Sequence, residues 1–210
     1  MDRRNFLKTG TAATGALVSR SVLSALANAR VPSDEGFLVF DRHGQILKQV
    51  RVGHAQSMSV GKFRADAPGL QLITSNFWKT LFDHDGNILA QDEPIHSASP
   101  LMPVNWRGDG RELALLSDNV AEGGMIDGDL RRVVLFPDDG HPGLCAYAID
   151  VVGDERDEVI LWDQERVWIY TQDRPFSGQR IYAPVRNPRY NESNYRTCVS
   201  TPRWSTHAVA

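Results

Sequence analysis

The chain has 210 residues and 23.4 kDa, with 23 Lys and Arg against 26 Asp and Glu, 41% hydrophobic and 9% aromatic residues. These values exclude a collagen-like, low-complexity or disulfide-dense chain and leave enough apolar material for a core. A pI near 6.1 and a formal charge of −3 lack the basic surface that nucleic-acid binding requires, and two cysteines, Cys145 and Cys198, cannot form a disulfide framework.

The opening MDRRNFLKTG joins a charged head to a mildly apolar stretch from Thr11 to Leu26, and Ala27-Asn28-Ala29 closes it with small residues. This is the pattern of a helical signal peptide over residues 1–29, cleaved after Ala29, with the mature segment at 30–210. Arg3-Arg4 followed by Asn5, Phe6, Leu7 and Lys8 fits the twin-arginine export signal, which places the mature chain in the periplasm or outside the cell. The apolar run is broken by Arg20 and is too short and polar for a permanent membrane anchor. Cleavage removes Arg3, Arg4, Lys8 and Arg20 but only Asp2 among the acids, so the mature chain is more acidic than the whole. Outside the cytoplasm a Cys145–Cys198 disulfide is permitted; two buried free thiols are the alternative.

From Phe37 onward, short runs rich in β-branched and aromatic residues, FLVF, VLFP, EVILW and RVWIYT, are closed by Asp-Gly, His-Gly or Gly-Asp turns. No segment sustains a helical period, so the mature chain reads as all-β. The runs also resemble one another. SVGKFRADAPGLQLITSNFWKTLFDHDGNIL from Ser59, PVNWRGDGRELALLSDNVAEGGMIDGDLRRVVLFPDDG from Pro103 and AIDVVGDERDEVILWDQERVWIYTQ from Ala148 each pass from a short strand through an acidic or glycine turn into an apolar strand. Gln71, Glu112 and Glu158 align, and FLVFDRHGQIL matches the closing half of an earlier unit. An all-strand repeat of roughly 40 to 50 residues is the period of a β-propeller blade of four antiparallel strands. The chain holds about three to four such blades, an incomplete ring whose terminal faces require capping or association into a homo-oligomer.

The stretch DVVGDERDEVILWDQERVWIYTQDRPFSGQRIYAPVRNPRYNES carries Gly153, Asp154, Arg156, Asp157, Glu158 and Val159, then Trp168, Ile169, Tyr170 and Thr171. Arg180, Ile181 and Tyr182 follow, and then Asn187, Pro188 and Tyr190. It resembles the C-terminal region of rhamnogalacturonan lyases of polysaccharide lyase family 11, and Gly108-Asp109-Gly110-Arg111-Glu112 fits the same family's acidic turns. The resemblance implies a β-propeller and association with an acidic polysaccharide of rhamnogalacturonan or ulvan type. The chain is much shorter than that family's catalytic modules, and Glu192 to Trp204 replace the elements that follow the Asn-Pro-x-Tyr segment there.

Eliminative cleavage of a uronate polymer needs a group that neutralises the carboxylate, a base for the C5 proton and an acid for the leaving oxygen. His54, His96 and His141 each precede the first strand of a repeat, so in a radial array they would converge at the channel mouth; the alternatives are that each bonds its own loop, or that they hold a metal. Tyr190 and Arg196 complete the catalytic candidates, as proton donor and carboxylate partner. Trp78, beside Lys79, is the candidate platform for a sugar face, with Lys79 and Asn105 as further substrate contacts. Asp150, Asp154, Asp157 and Glu158 offer hard oxygens for calcium, whereas plain turn chemistry explains acidic turns without any ion. The expectation is an exported polysaccharide lyase acting by β-elimination; the alternative is a non-catalytic propeller fragment that binds glycan or a partner subunit.

Overall fold

The computed structural model describes residues 29–33, 36–40, 43–53, 55, 57–95, 101–143, 146–176, 182–185, 196–199 and 201–204. Side chains are described within 36–40, 43–53, 55, 57–74, 78–93, 101–143 and 146–176. Among these residues there are sixteen strands and no helix, as the turn-punctuated sequence predicts.

Four antiparallel sheets follow in chain order. The first holds β1 (Ala29–Ser33), β2 (Gly36–Phe40) and β3 (Ile46–Val50), and the second β4 (Ser57–Gly61), β5 (Gln71–Phe82) and β6 (Ile88–Ile95). The third is a meander of β7 (Met102–Val104), β8 (Leu113–Ser117), β9 (Gly124–Ile126) and β10 (Arg132–Val134), and the fourth holds β11 (Ala146–Ile149), β12 (Glu158–Trp162) and β13 (Val167–Tyr170). Near the C-terminus β14 (Tyr182–Val185) pairs with β16 (Thr201–Trp204), while β15 (Arg196–Val199) adds to β4 in parallel. Of the segment 1–29 expected to be a signal peptide, residues 1–28 lie outside the described residues, and Ala29 opens β1.

The near-continuous apolar strands are explained by burial on both faces, since alternate side chains point to opposite sides. Phe37 and Val39 of the first sheet meet Met58, Val60, Leu72 and Phe82 of the second, with the Phe37 and Phe82 rings edge-on at 5.2 Å. One residue further along, Ile73 points the other way and joins Leu81 against Ala114, Leu116, Ile126 and Leu130 of the third sheet. From the third sheet Leu113, Leu115 and Met125 then face Ala146, Ala148, Val159 and Leu161 of the fourth. Each such fully buried aliphatic side chain stabilises the stack by about 1.5–3 kcal/mol relative to exposure.

The sheets are therefore stacked face to face in sequence order. Their first strands gather along one edge: β7 lies against β4 on one side and β11 on the other, and β15 approaches both β1 and β7. The pairing register repeats as well, because the last residue of the first strand always faces the first residue of the second: Gly61 with Gln71, Val104 with Leu113, Ile149 with Glu158. This register shifts the sequence alignment by one residue in the third sheet. Glu112 ends its loop and so matches Asp157, whereas Gln71 and Glu158 both open a strand; two adjacent carboxylates, Asp157 and Glu158, made either match available to the sequence.

Candidate functional site

Call the end where β4, β7 and β11 start the top, and the end where they finish the bottom. At the bottom each first strand runs into a loop, 62–70, 105–112 or 150–157, and these loops carry most of the acidic residues singled out in the sequence. Two of the carboxylates tie consecutive sheets together. Glu112 accepts the Lys62 N–H at 2.9 Å while its own N–H donates to the Lys62 carbonyl at 2.7 Å. Asp157 repeats the arrangement one unit later, accepting the Asn105 N–H at 2.7 Å and donating its N–H to the Asn105 carbonyl at 3.0 Å. The strand-opening residues brace their own loops instead: Gln71 accepts from the N–H groups of Phe63 and Arg64, and Glu158 from those of Val151 and Val152.

The four carboxylates proposed for calcium are thus engaged by donors. Asp150 accepts from Gly153 N at 2.6 Å and Glu155 N at 2.9 Å, and Asp154 binds the Arg156 guanidinium and its N–H. The hydrogen bond from Arg156 holds the Asp154 carboxyl below the usual carboxylate range. Among the described residues no three His, Cys, Asp or Glu side chains come together as a metal-holding group.

The substrate candidates are dispersed. Trp78 on β5 is 51% exposed and open to a ligand. Its neighbour Lys79 points to the opposite side, buried, where Nζ meets Asp92 at 2.7 Å and donates to the Leu130 carbonyl at 3.3 Å. The hydrogen bond from Lys79 depresses the Asp92 carboxyl. Asn105 is fully buried, with Nδ2 donating to the Glu155 carbonyl at 2.5 Å.

Of the catalytic candidates, His54, His96 and Tyr190 lie outside the described residues, and Arg196 is described by its backbone in β15. His141 sits between the third and fourth sheets. Its Nδ1 lies 2.9 Å from the Pro142 carbonyl and its ring contacts Phe136 and Tyr170 edge-on, at 6.0 and 5.9 Å between centroids. Tyr170 belongs to β13, the strand farthest from the inner edge, so His141 packs away from β11 and bonds its own loop. The Tyr170 hydroxyl donates to Asp139 at 2.8 Å, and burial, followed by that carboxylate, pushes its ionisation upward.

A cleft of about 260 Å³ that no sequence motif marks lies at the bottom, between the loops of the second and third sheets. Its polar walls are Arg64, Asp66, Arg107, Arg111, Glu112, Asp127 and Asp129. Arg64 is fixed by two bonds to Asp66, at 2.7 and 3.0 Å, and approaches Asp129 across the cleft at 3.5 Å. Arg111 is held by Asp109 at 2.6 Å. Arg107 is exposed and has no carboxylate partner among the described residues. Gly128 permits the close approach, because a Cβ there would lie 2.5 Å from the Phe63 carbonyl oxygen. The sequence signal for this site is arginine in the bottom loop of consecutive repeats, Arg64 in one and Arg107 and Arg111 in the next. The chain matches no family model, and no curated protein matches it.

Proposed function

We propose that this is an exported carbohydrate-associated protein whose stacked sheets are blades of an incomplete β-propeller, and that it binds an acidic polysaccharide in the bottom cleft. The observation that carries the reading is the set of planar groups there: two guanidinium groups fixed by carboxylates, and a third, Arg107, with no carboxylate partner among the described residues. Guanidinium forks match carboxylates bidentately, while Asp and Arg side chains together satisfy the donor and acceptor faces of sugar hydroxyls. Arg64, Arg107 and Arg111 share the cleft with the carboxylates of Asp66, Glu112, Asp127 and Asp129, so its lining is mixed in charge and suits a polymer in which charged and neutral sugars alternate. That favours a rhamnogalacturonan-type chain over a uniformly charged uronate, in line with the resemblance of residues 150–193.

Titration calorimetry with rhamnogalacturonan, ulvan and polygalacturonate tests the reading. Binding to one of the two mixed polymers, weakened about tenfold or more by Arg107→Ala and little changed on polygalacturonate, is expected. Equal binding by Arg107→Ala and the parent would sink it. The β-elimination that the resemblance implies is tested on the same samples by absorbance at about 235 nm, where an unsaturated uronate product absorbs; a rise abolished by His54→Ala, His96→Ala or Tyr190→Phe makes the protein a lyase as well.

A further inference from the structure

The fourth sheet has one face packed on the third and one face bare. The packed face carries Ala146, Ala148, Val159 and Leu161. The other carries Ile149, Ile160, Trp162, Val167 and Ile169 beside half-buried Tyr147 and buried Glu158, with Ile160 paired to Ile169 and Trp162 to Val167 across the strands. Val167 is 64% and Ile169 54% exposed, so neither the β14–β16 sheet nor β15 covers this side. The repeated register shows what such a face meets inside the stack. Ile160 occupies the position of Ile73 in the second sheet and Leu115 in the third, and both of those are 0% exposed because the following sheet lies on them. The bare face is thus the donor half of a junction made twice already in this register, by Ile73 and by Leu115.

The acceptor half of the same junction is exposed at the other end. The first sheet packs Phe37, Val39 and Val50 onto the second sheet, while Ile46 and Leu47 on β3 stand 60% and 57% exposed. The chain beyond β13 leads away from the fourth sheet: Phe176 packs on Gly108 and the Arg156 guanidinium, and β15 then joins β4.

We infer that the bare face of the fourth sheet packs on the exposed face of the first sheet of a second copy of this chain. The reciprocal contact, related by one two-fold axis, closes the pair into a ring of eight sheets, within the range at which such rings close. The inference rests on the stacking of the sheets and is independent of any ligand in the cleft.

Light scattering on the mature chain at tens of micromolar tests it, with Ile169→Asp and Leu47→Asp as exposed-site variants that leave each monomer's core intact. The expected result is twice the chain mass for the parent and a monomer for each variant, with unchanged near-ultraviolet circular dichroism. A parent that is monomeric at that concentration overturns the inference. So does a dimer that survives Leu47→Asp while failing with Ile169→Asp, since that pairing would be bare face to bare face.

Discussion

The third and fourth sheets share a strand register and a loop design, yet their environments differ sharply. Leu115 in the third sheet is sealed between neighbours, and Ile160 at the same position in the fourth looks outward beside exposed Val167 and Ile169. The apolar pattern of a strand therefore reports the number of neighbours its sheet is built to have, whether or not one chain supplies them all. A sheet that keeps the interior pattern on an uncovered face is made for company, because exposed contiguous apolar patches of this kind mark interaction surfaces.

Truncation at matched positions should expose the contrast most strongly. Leu115→Ala is expected to cost about 2–5 kcal/mol in urea unfolding, whereas Ile160→Ala in the Ile169→Asp background should cost about 1 kcal/mol or less. Similar losses at the two sites would mean that the fourth sheet is covered on both faces within one chain. A smaller effect sharpens the junction between these sheets. Asp157→Ala strands the buried Asn105 N–H and is expected to lower stability by about 1–3 kcal/mol, with Asp157→Asn, which keeps an acceptor, losing less. Equal stability for Asp157→Ala and the parent in thermal melts would remove the carboxylate from the inter-sheet contact.

Acid titration gives a weaker signal. The Asp154 carboxyl is depressed in the folded chain by Arg156, so its contribution is present above the ordinary carboxylate range and fades as pH falls through the lowered folded value. Asp154→Asn should flatten stability against pH below about 4 by around 0.5 kcal/mol, a small effect because the pair is partly solvated. An unchanged acid limb would show that Arg156 does not select the ionised form. The smallest effect is expected from chelation. Since Asp150, Asp154, Asp157 and Glu158 already accept from N–H or guanidinium donors, removing divalent cations should leave Tm unmoved. A drop restored by calcium would place the ion at that turn.

Much of this architecture was legible because strand chemistry and turn chemistry are local. FLVF, LQLIT, LALLS and EVILW are too uniformly apolar for a half-exposed sheet, and the spacing of their turns gave the repeating unit. The work of the acidic residues was not legible, since an Asp that accepts loop N–H groups and an Asp that waits for calcium look alike in sequence. The difference between Asp157 and Glu158, one tying two sheets and the other bracing a loop, depends on a register that propensity does not encode. His141 shows the same limit: its place ahead of β11 suggested a channel, but packing against Phe136 and Tyr170 draws the ring between two sheets. The arginine cleft was invisible for a related reason, because it forms from loops far apart in the chain and meets at Gly128 only after the sheets have stacked.

Consecutive sheets are joined face to face with their first strands side by side. Amide hydrogen exchange at Lys62 and Asn105 tests this most directly, since both residues lie just past a strand and their N–H groups point to carboxylates of the next sheet. Both amides should be protected to nearly the level of β8, and Asp157→Ala should release Asn105 while leaving Lys62 slow. Exchange of both at the rate of an open loop in the parent protein would contradict the stacked arrangement.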